Sequence, residues 1–118
     1  MLFFGRISKY KGVEYLLQAM KKVHEEYPNV ELVVAGGGKF DFNIIPYQNL
    51  NYININNRFI KMDELTTLIR NAKFVVCPYT DATQSGVVST CLGLNVPLVV
   101  TNVGALPDLI VDGKSGLV

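Results

Sequence analysis

Short apolar runs that alternate with helical segments constrain the fold of this chain more than any other feature. Residues 2–4, 31–35 and 74–77 are apolar almost without interruption, which is typical of strands covered on both faces. Between the first two runs, apolar side chains recur at helical spacing from Val13 to Val23, and Pro28 ends that pattern. Strands that alternate with helices predict an α/β fold, a Rossmann-like parallel sheet with helices on both faces.

The remaining segments extend the same alternation. Asp63 is a candidate N-cap for a helix that carries Leu65, Leu68 and Ile69. The polar residues 39–51 predict a loop with one short helix. Further strands are predicted at residues 52–55, 97–101 and 116–118, and further helices at residues 86–94 and 107–111. We therefore predict a single domain over residues 1–118, with no internal repeat.

Composition excludes several classes of protein. The 118 residues carry a formal net charge of +1, without the basic excess of a nucleic-acid-binding domain. No apolar run approaches the length of a transmembrane helix, and the first residues lack the basic lead of a signal peptide. Cys77 and Cys91 lie among apolar residues, which indicates buried, reduced thiols in a cytoplasmic protein. His24 lies among charged residues, which indicates a solvated helix face.

Three standard phosphate-binding patterns fail in this sequence. A dinucleotide fingerprint that starts at Gly36 has Asp41 at its third glycine position, and a P-loop that ends at residues 113–115 has Asp108 at its first glycine position. An Asp-x-Asp pair that would carry a divalent cation on a diphosphate is absent from the sequence. We therefore expect neither a metal site nor a bound cofactor.

A metal-free anion site remains, and it is predicted at the carboxyl edge of the sheet. Arg6 and Lys11 lie in the loop after the first strand, where a guanidinium fork and a point charge would together neutralise a diphosphate. The segment Gln84-Ser85-Gly86-Val87 begins a helix, whose free N–H groups and dipole favour a phosphate. Loops that follow the strands of such a sheet converge on one ligand site.

Five segments, read in order, resemble family 4 glycosyltransferases, which are retaining enzymes of the GT-B fold. They are Gly-Arg-Ile-Ser-Lys-Tyr-Lys-Gly at 5–12, Val-Val-Ala-Gly-Gly-Gly at 33–38, the segment 78–86, Asn-Val-Pro-Leu-Val-Val-Thr at 95–101, and Val-Gly-Ala-Leu-Pro-Asp at 103–108 with Asp-Gly at 112–113. The resemblance covers essentially the whole chain and keeps the order and spacing of the family.

The resemblance implies a role as the C-terminal, donor-binding half of such an enzyme. The donor is a nucleoside-diphosphate sugar, and a separate N-terminal domain, missing here, would hold a glycan or lipid acceptor. We therefore expect the chain to be a fragment that binds donor without transferring sugar, and the full enzyme to be a hexosyltransferase, in the cytoplasm or at the inner face of the membrane. The implied donor contacts are Gly5, Gly36 and Gly37 under the nucleotide, and the backbone of Arg58, Phe59 and Ile60 at the base.

The chain departs from the family at two glutamates that many members carry with seven residues between them. Ala82 and Thr90 occupy those positions here. The segment 78–87 resembles a subgroup in which the acidic residue comes one place earlier, so Asp81 takes the sugar-facing role and Thr90 makes one hydrogen bond to the ribose. Ser85, Gly86 and Val87 would offer N–H groups to the phosphate. Arg6, Lys11 and Asp81 are thus the candidate catalytic residues, and Gln84 completes the binding set.

Two other functions are compatible with the same pattern. A doubly wound domain without catalytic activity would serve as a nucleotide-binding or assembly module. An epimerase of nucleotide sugars shares the GT-B fold, but it places histidines and further carboxylates in the cleft, whereas His24 belongs to a helix away from it.

Overall fold

The computed structural model describes residues 1–80, 86–104, 106–109 and 116–118, and it confirms the predicted α/β fold. Within these residues, a single 3-10 turn spans Lys9–Lys11. The strands are β1 (Leu2–Phe4), β2 (Leu32–Ala35), β3 (Ile53–Asn56), β4 (Val75–Cys77), β5 (Leu98–Val100) and β6 (Gly116–Leu117). The helices are α1 (Val13–Glu26), α2 (Ile45–Gln48), α3 (Met62–Asn71), α4 (Gly86–Gly93) and α5 (Leu106–Leu109).

The six described strands form one parallel sheet in the order β3-β2-β1-β4-β5-β6. The order reverses between β1 and β4, so the chain runs outward from the centre in both directions. Because crossovers between parallel strands are right-handed, α1 and α4 lie on opposite faces of the sheet. Ligands of doubly wound sheets bind in the crevice outside the carboxyl ends of the strands at such a reversal. Gly5 and Pro78 directly follow β1 and β4, the two strands between which the order reverses.

Burial of the central strands explains why their sequences are continuously apolar. Every residue of β1 and β4 is buried, since helices cover both faces there. Helix α1 contributes Val13, Leu16, Leu17 and Met20 to the same core. Full burial of a large apolar side chain stabilises the fold by about 1.5–3 kcal/mol, so this layer holds the loops above it in place. Helix α1 ends at Glu26, as the pattern before Pro28 predicted.

Two local predictions are wrong. Helix α3 begins at Met62 with Lys61 as its N-cap, so Asp63 lies in the first turn, where its charge still favours the helix dipole. His24 is half-buried rather than solvated, because its ring stacks on Tyr52 with centroids 3.9 Å apart and planes 11° apart. Tyr52 is 28 positions away in the chain and reaches α1 only through the pairing of β3 with β2. A local charge pattern carries no information about such a contact.

The part of the chain that the structure describes contains no helix long and apolar enough to cross a membrane. Cys77 and Cys91 are both buried and free, as predicted. Burial raises the pKa of the Cys77 thiol to about 11 and that of the Cys91 thiol to about 12. Both side chains therefore belong to the core as neutral thiols.

The raised thiol pKa values predict that the chain loses stability at alkaline pH. Above pH ~9 the unfolded chain releases thiol protons that the folded chain retains until its own, higher pKa values. The stability is therefore complete below that pH and falls above it, with a slope of up to about 1.4 kcal/mol per pH unit for each thiol. Urea unfolding between pH 8 and pH 10 measures this slope. The Cys77→Ala/Cys91→Ala double variant is the control, and an equal slope in that variant would contradict the assignment.

Candidate functional site

Backbone hydrogen bonds join the loops that follow β1, β2 and β3. The N–H of Gly5 donates to Ala35 O at 3.1 Å, and the N–H of Ile7 donates to Gly37 O at 2.8 Å. The N–H of Gly36 donates to Asn56 O at 3.0 Å. Because buried backbone groups need partners, these bonds make the three loops one connected surface at the carboxyl edge. The three-glycine segment 36–38 lies at its centre.

Glycine is required where two of these loops cross. Gly36 has a φ of 155°, and a Cβ placed on it would lie 1.8 Å from Gly5 O. Gly5 has a φ of 116°, and a Cβ there would lie 2.9 Å from Lys11 Nζ and 3.3 Å from a methyl carbon of Val87. The missing side chains allow the loop after β2 to lie directly on the loop after β1, and they leave space for the Lys11 ammonium.

A cavity of about 360 Å³ opens between these loops and the start of α3. One side of it is backbone and cationic, and the other side is apolar. Its lining residues are Gly5, Arg6, Ala35, Gly36, Gly37, Phe59, Ile60 and Leu65. The structure thus brings together six of the residues predicted for donor contact, in a volume typical of small-molecule sites.

Lys11 lies at the reversal point of the sheet, between the loops that follow β1 and β4. Its Nζ is 6.0 Å from the ring centroid of Tyr10 and 5.9 Å from that of Tyr79, and the two rings meet edge to face. Partial burial lowers the pKa of Lys11, since an ammonium loses hydration there. Among the described residues no carboxylate pairs with it. The two aromatic faces compensate only part of the lost hydration, so the ammonium favours an incoming anion.

Arg6 is the second cation of the site. It is exposed, it lines the cavity, and no described residue accepts a hydrogen bond from its guanidinium. Arg6 follows Gly5 directly, and the Lys11 ammonium lies 2.9 Å from the place that a Cβ on Gly5 would occupy, so both positive charges border the same backbone segment. This arrangement suits a ligand with two adjacent phosphates.

Arg58 lies in the loop after β3, and its side chain does not line the cavity. The guanidinium of Arg58 forms an ion pair with Glu64, with Nη1 donating to Oε2 at 3.1 Å. This pair raises the pKa of Arg58 and lowers that of Glu64. The backbone at residues 58–59 instead packs against Gly37, at 3.6 Å from a Cβ placed there. Phe59 is 83% exposed above the cavity.

Asn57 belongs to the site although it was not predicted from the sequence. Its side-chain Nδ2 donates to the carbonyls of Gly36 and Gly38, at 3.1 Å and 3.0 Å. It is one of several asparagines in a polar stretch, and nothing in the sequence distinguishes it from Asn54 or Asn56. Only the tertiary contact between two strand-to-helix loops identifies it.

The start of α4 completes the described part of the site. Val87 reaches Gly5, whereas Gly86 is exposed with nothing within 4 Å of a Cβ placed on it. The Thr90 hydroxyl donates to Gly86 O at 2.8 Å, so its proton is used within the helix and its oxygen remains an acceptor. The predicted contacts Asp81, Gln84 and Ser85 lie outside the described residues, as does Ala82.

Comparison with known proteins identifies relatives along the whole chain. A family model described as "Glycosyl transferases group 1" matches residues 1–118. An uncharacterized glycosyltransferase of Methanocaldococcus jannaschii is 32% identical over 99% of the chain, which covers 30% of that protein. A D-inositol 3-phosphate glycosyltransferase of an Arthrobacter species is 28% identical over 99% of the chain, again covering 30% of the relative.

Solved structures share the fold. The pneumococcal O-GlcNAc transferase in complex with UDP and GlcNAc superposes with a TM-score of 0.80 at 19% identity, over 99% of this chain and 23% of that one. The C-terminal domain of a glycosyl transferase group 1 family protein from Francisella tularensis superposes with a TM-score of 0.78 at 20% identity, over 98% of this chain and 65% of that one. The chain thus spans about a third of the length of the curated relatives named above.

Proposed function

This chain belongs to the group 1 glycosyltransferases, and from that premise we propose that it binds the nucleotide-sugar donor of a retaining, family 4 enzyme of the GT-B fold. The observation that carries the proposal is a cavity lined by Arg6, a glycine loop and an apolar wall, with the Lys11 ammonium beside Gly5 at its edge. Neither cation forms an ion pair with another described residue. The cavity of about 360 Å³ lies at the carboxyl edge, beside the reversal of strand order. The cations suit the diphosphate, and Phe59 and Ile60 suit the flat face of a base.

In the proposed reaction the nucleoside diphosphate leaves the sugar as negative charge builds on its phosphate oxygens. Lys11 and Arg6 neutralise that charge, and the N–H groups at the start of α4 donate hydrogen bonds to it. No metal ion has a part in this scheme, because the two side chains supply the positive charge. Asp81 faces the sugar, and the Thr90 oxygen accepts a hydrogen bond from the ribose. The stereochemical outcome, retention, follows from the family resemblance alone.

Transfer also needs an acceptor, and we assign its binding to a separate domain. The chain spans about a third of its relatives, so two thirds of those proteins have no counterpart in it. We propose that the chain binds donor without transferring sugar, and that the full enzyme transfers a hexose to a glycan or lipid. One relative is a glycogen synthase of Mycobacterium tuberculosis, which supports a role in glycan assembly. We place the full enzyme in the cytoplasm or at the inner face of the membrane.

One observation favours the alternative of a nucleotide-binding module without catalytic activity. Thr90 occupies a position where many family members carry a glutamate, and its hydroxyl proton is already donated to Gly86 O. A single acceptor holds a ribose less firmly than a carboxylate does. The two functions differ in their requirement for the sugar: an enzyme domain distinguishes the nucleotide sugar from the nucleotide, and a sensing module does not.

Thermal unfolding with a panel of ligands tests donor binding. We expect one of UDP-, GDP- or ADP-glucose, at a hundred times its dissociation constant, to raise the melting temperature by about 10 °C. The reason is mass action: a ligand that binds only the folded chain adds ~2.7 kcal/mol of stability under that condition. The matching nucleoside diphosphate and glucose alone are the controls. An unchanged melting temperature with all three nucleotide sugars would contradict the proposal.

A further inference from the structure

Asn57 links the loop after β3 to the glycine loop after β2. Its side chain has two N–H groups on one nitrogen, and that nitrogen lies within hydrogen-bond distance of two carbonyls, those of Gly36 and Gly38. Asn57 itself is exposed at the rim of the sheet edge, outside the hydrophobic core. It therefore acts on the shape of the glycine loop rather than on the packing of the core.

The contact with Gly36 fixes the direction of a neighbouring donor. In a planar trans peptide the carbonyl of one residue and the N–H of the next point in opposite directions. Since the Gly36 carbonyl faces Asn57, the N–H of Gly37 points away from Asn57. Gly37 lines the cavity, and no acceptor among the described residues receives its N–H. The Gly37 carbonyl is held separately by the N–H of Ile7, at 2.8 Å.

The loop needs such a restraint because it consists of three glycines. Glycine adopts positive and negative φ values with similar ease, so residues 36–38 have more alternative conformations than any other triplet of residues would. Gly36 and Gly38 have φ values of 155° and 116° in the structure. A group that holds two of the carbonyls reduces the conformational entropy that ligand binding would otherwise lose.

We propose that Asn57 is a positioning residue for donor binding: it orients the Gly36–Gly37 peptide so that the Gly37 N–H donates to an acceptor atom of the nucleotide. This inference rests on the proposed function, since it places the nucleotide in the cavity. Donor binding then requires a fixed peptide orientation in addition to the cavity. The peptide must be held in one of its two orientations before the ligand arrives.

The test compares Asn57→Asp with Asn54→Asp in the same 118-residue chain. Aspartate has the shape of asparagine but no donor, so Asn57→Asp loses both bonds and turns a carboxylate toward two carbonyls. Asn54 is exposed on the same strand-and-loop segment and does not line the cavity, so its variant controls for the added charge. Calorimetric titration with ADP, GDP and UDP in turn gives the dissociation constants. Amide resonances of ¹⁵N-labelled wild-type chain, with and without the bound nucleotide, report on Gly37.

We expect Asn57→Asp to weaken binding of the preferred nucleotide at least tenfold, and Asn54→Asp to weaken it less than threefold. We also expect the nucleotide to shift the Gly37 amide resonance of the wild-type chain and to slow its hydrogen exchange. Equal affinities for the two variants, or an unaffected Gly37 amide, would overturn the role of Asn57. Neither result would contradict the proposal that the chain binds the donor. If the wild-type chain binds none of the three nucleotides, the proposed function fails first. If Asn57→Asp does not fold, the Gly37 measurement on the wild-type chain decides.

Discussion

Replacing Lys11 with alanine is expected to weaken nucleoside-diphosphate binding by about 30-fold, or about 2 kcal/mol. Removing one member of a desolvated charge pair costs about 2–5 kcal/mol, and the low end applies because Lys11 is only half-buried. In the full-length enzyme the same change is expected to lower the transfer rate ~10²-fold, since the ammonium would stabilise charge that develops as the diphosphate leaves. Calorimetry on the chain and initial rates on the full enzyme measure the two effects.

Lys9→Ala is the matched control for this substitution. Lys9 belongs to the same 3-10 turn but is exposed, whereas Lys11 is half-buried beside the rings of Tyr10 and Tyr79. The Lys9→Ala variant loses the same formal charge as Lys11→Ala, two residues away. Both variants therefore change the long-range electrostatics equally, but only Lys11→Ala removes the ammonium beside Gly5. Affinities of the two variants within twofold of each other would show that Lys11 acts only through net charge, and the assignment would fail.

Arg6→Ala is expected to have a smaller effect on the same affinity than Lys11→Ala. Arg6 is exposed, so water and salt screen its interaction with a phosphate more strongly. The dependence of the dissociation constant on salt should accordingly decrease more in Arg6→Ala than in Lys11→Ala. The two cations thus have different physical roles, although the sequence presents them as a pair.

Much of the fold follows from the sequence because its signals are local. Each segment shows its own burial in its sequence: β1 and β4 are continuously apolar, and α1 has apolar residues at helical spacing. These patterns would be the same in any doubly wound sheet. The boundaries shift by a few residues at most, as for residues 97–101, where the strand is Leu98–Val100. The stacking of His24 on Tyr52 was not predictable, since it depends on the register between β2 and β3.

The cations and glycines of the candidate site were predicted from the sequence. The tertiary contacts that fix their positions were not. Arg6, Lys11 and the segment 36–38 stand out in the sequence because charge and missing side chains are visible there. The orientation of a peptide plane is a tertiary property. The amide of Asn57 and the ion pair that turns Arg58 toward Glu64 could therefore be identified only from the arrangement of the loops.

Gly36→Ala is expected to destabilise the chain by about 4 kcal/mol and to lower its melting temperature by about 15 °C. A methyl group there would lie 1.8 Å from Gly5 O, and both partners are backbone, so neither moves without distorting the end of β1 or β2. The φ of 155° adds strain for any residue with a side chain. Overpacking costs about 1–3 kcal/mol and an unfavourable backbone conformation a similar amount, against a total stability of about 5–15 kcal/mol.

Gly93→Ala is the matched control for this prediction, and the sign of its effect is opposite. Gly93 is the last residue of α4, and a Cβ there meets nothing within 4 Å. Alanine in a helix is up to ~1 kcal/mol more favourable than glycine, so this variant should unfold at a slightly higher urea concentration than the wild-type chain. Equal unfolding midpoints for Gly36→Ala and the wild-type chain would mean that the two loops separate without cost. In that case the crossing at Gly5 and Gly36 would not hold the cavity in shape, and the Gly37 N–H would have no fixed direction for Asn57 to maintain.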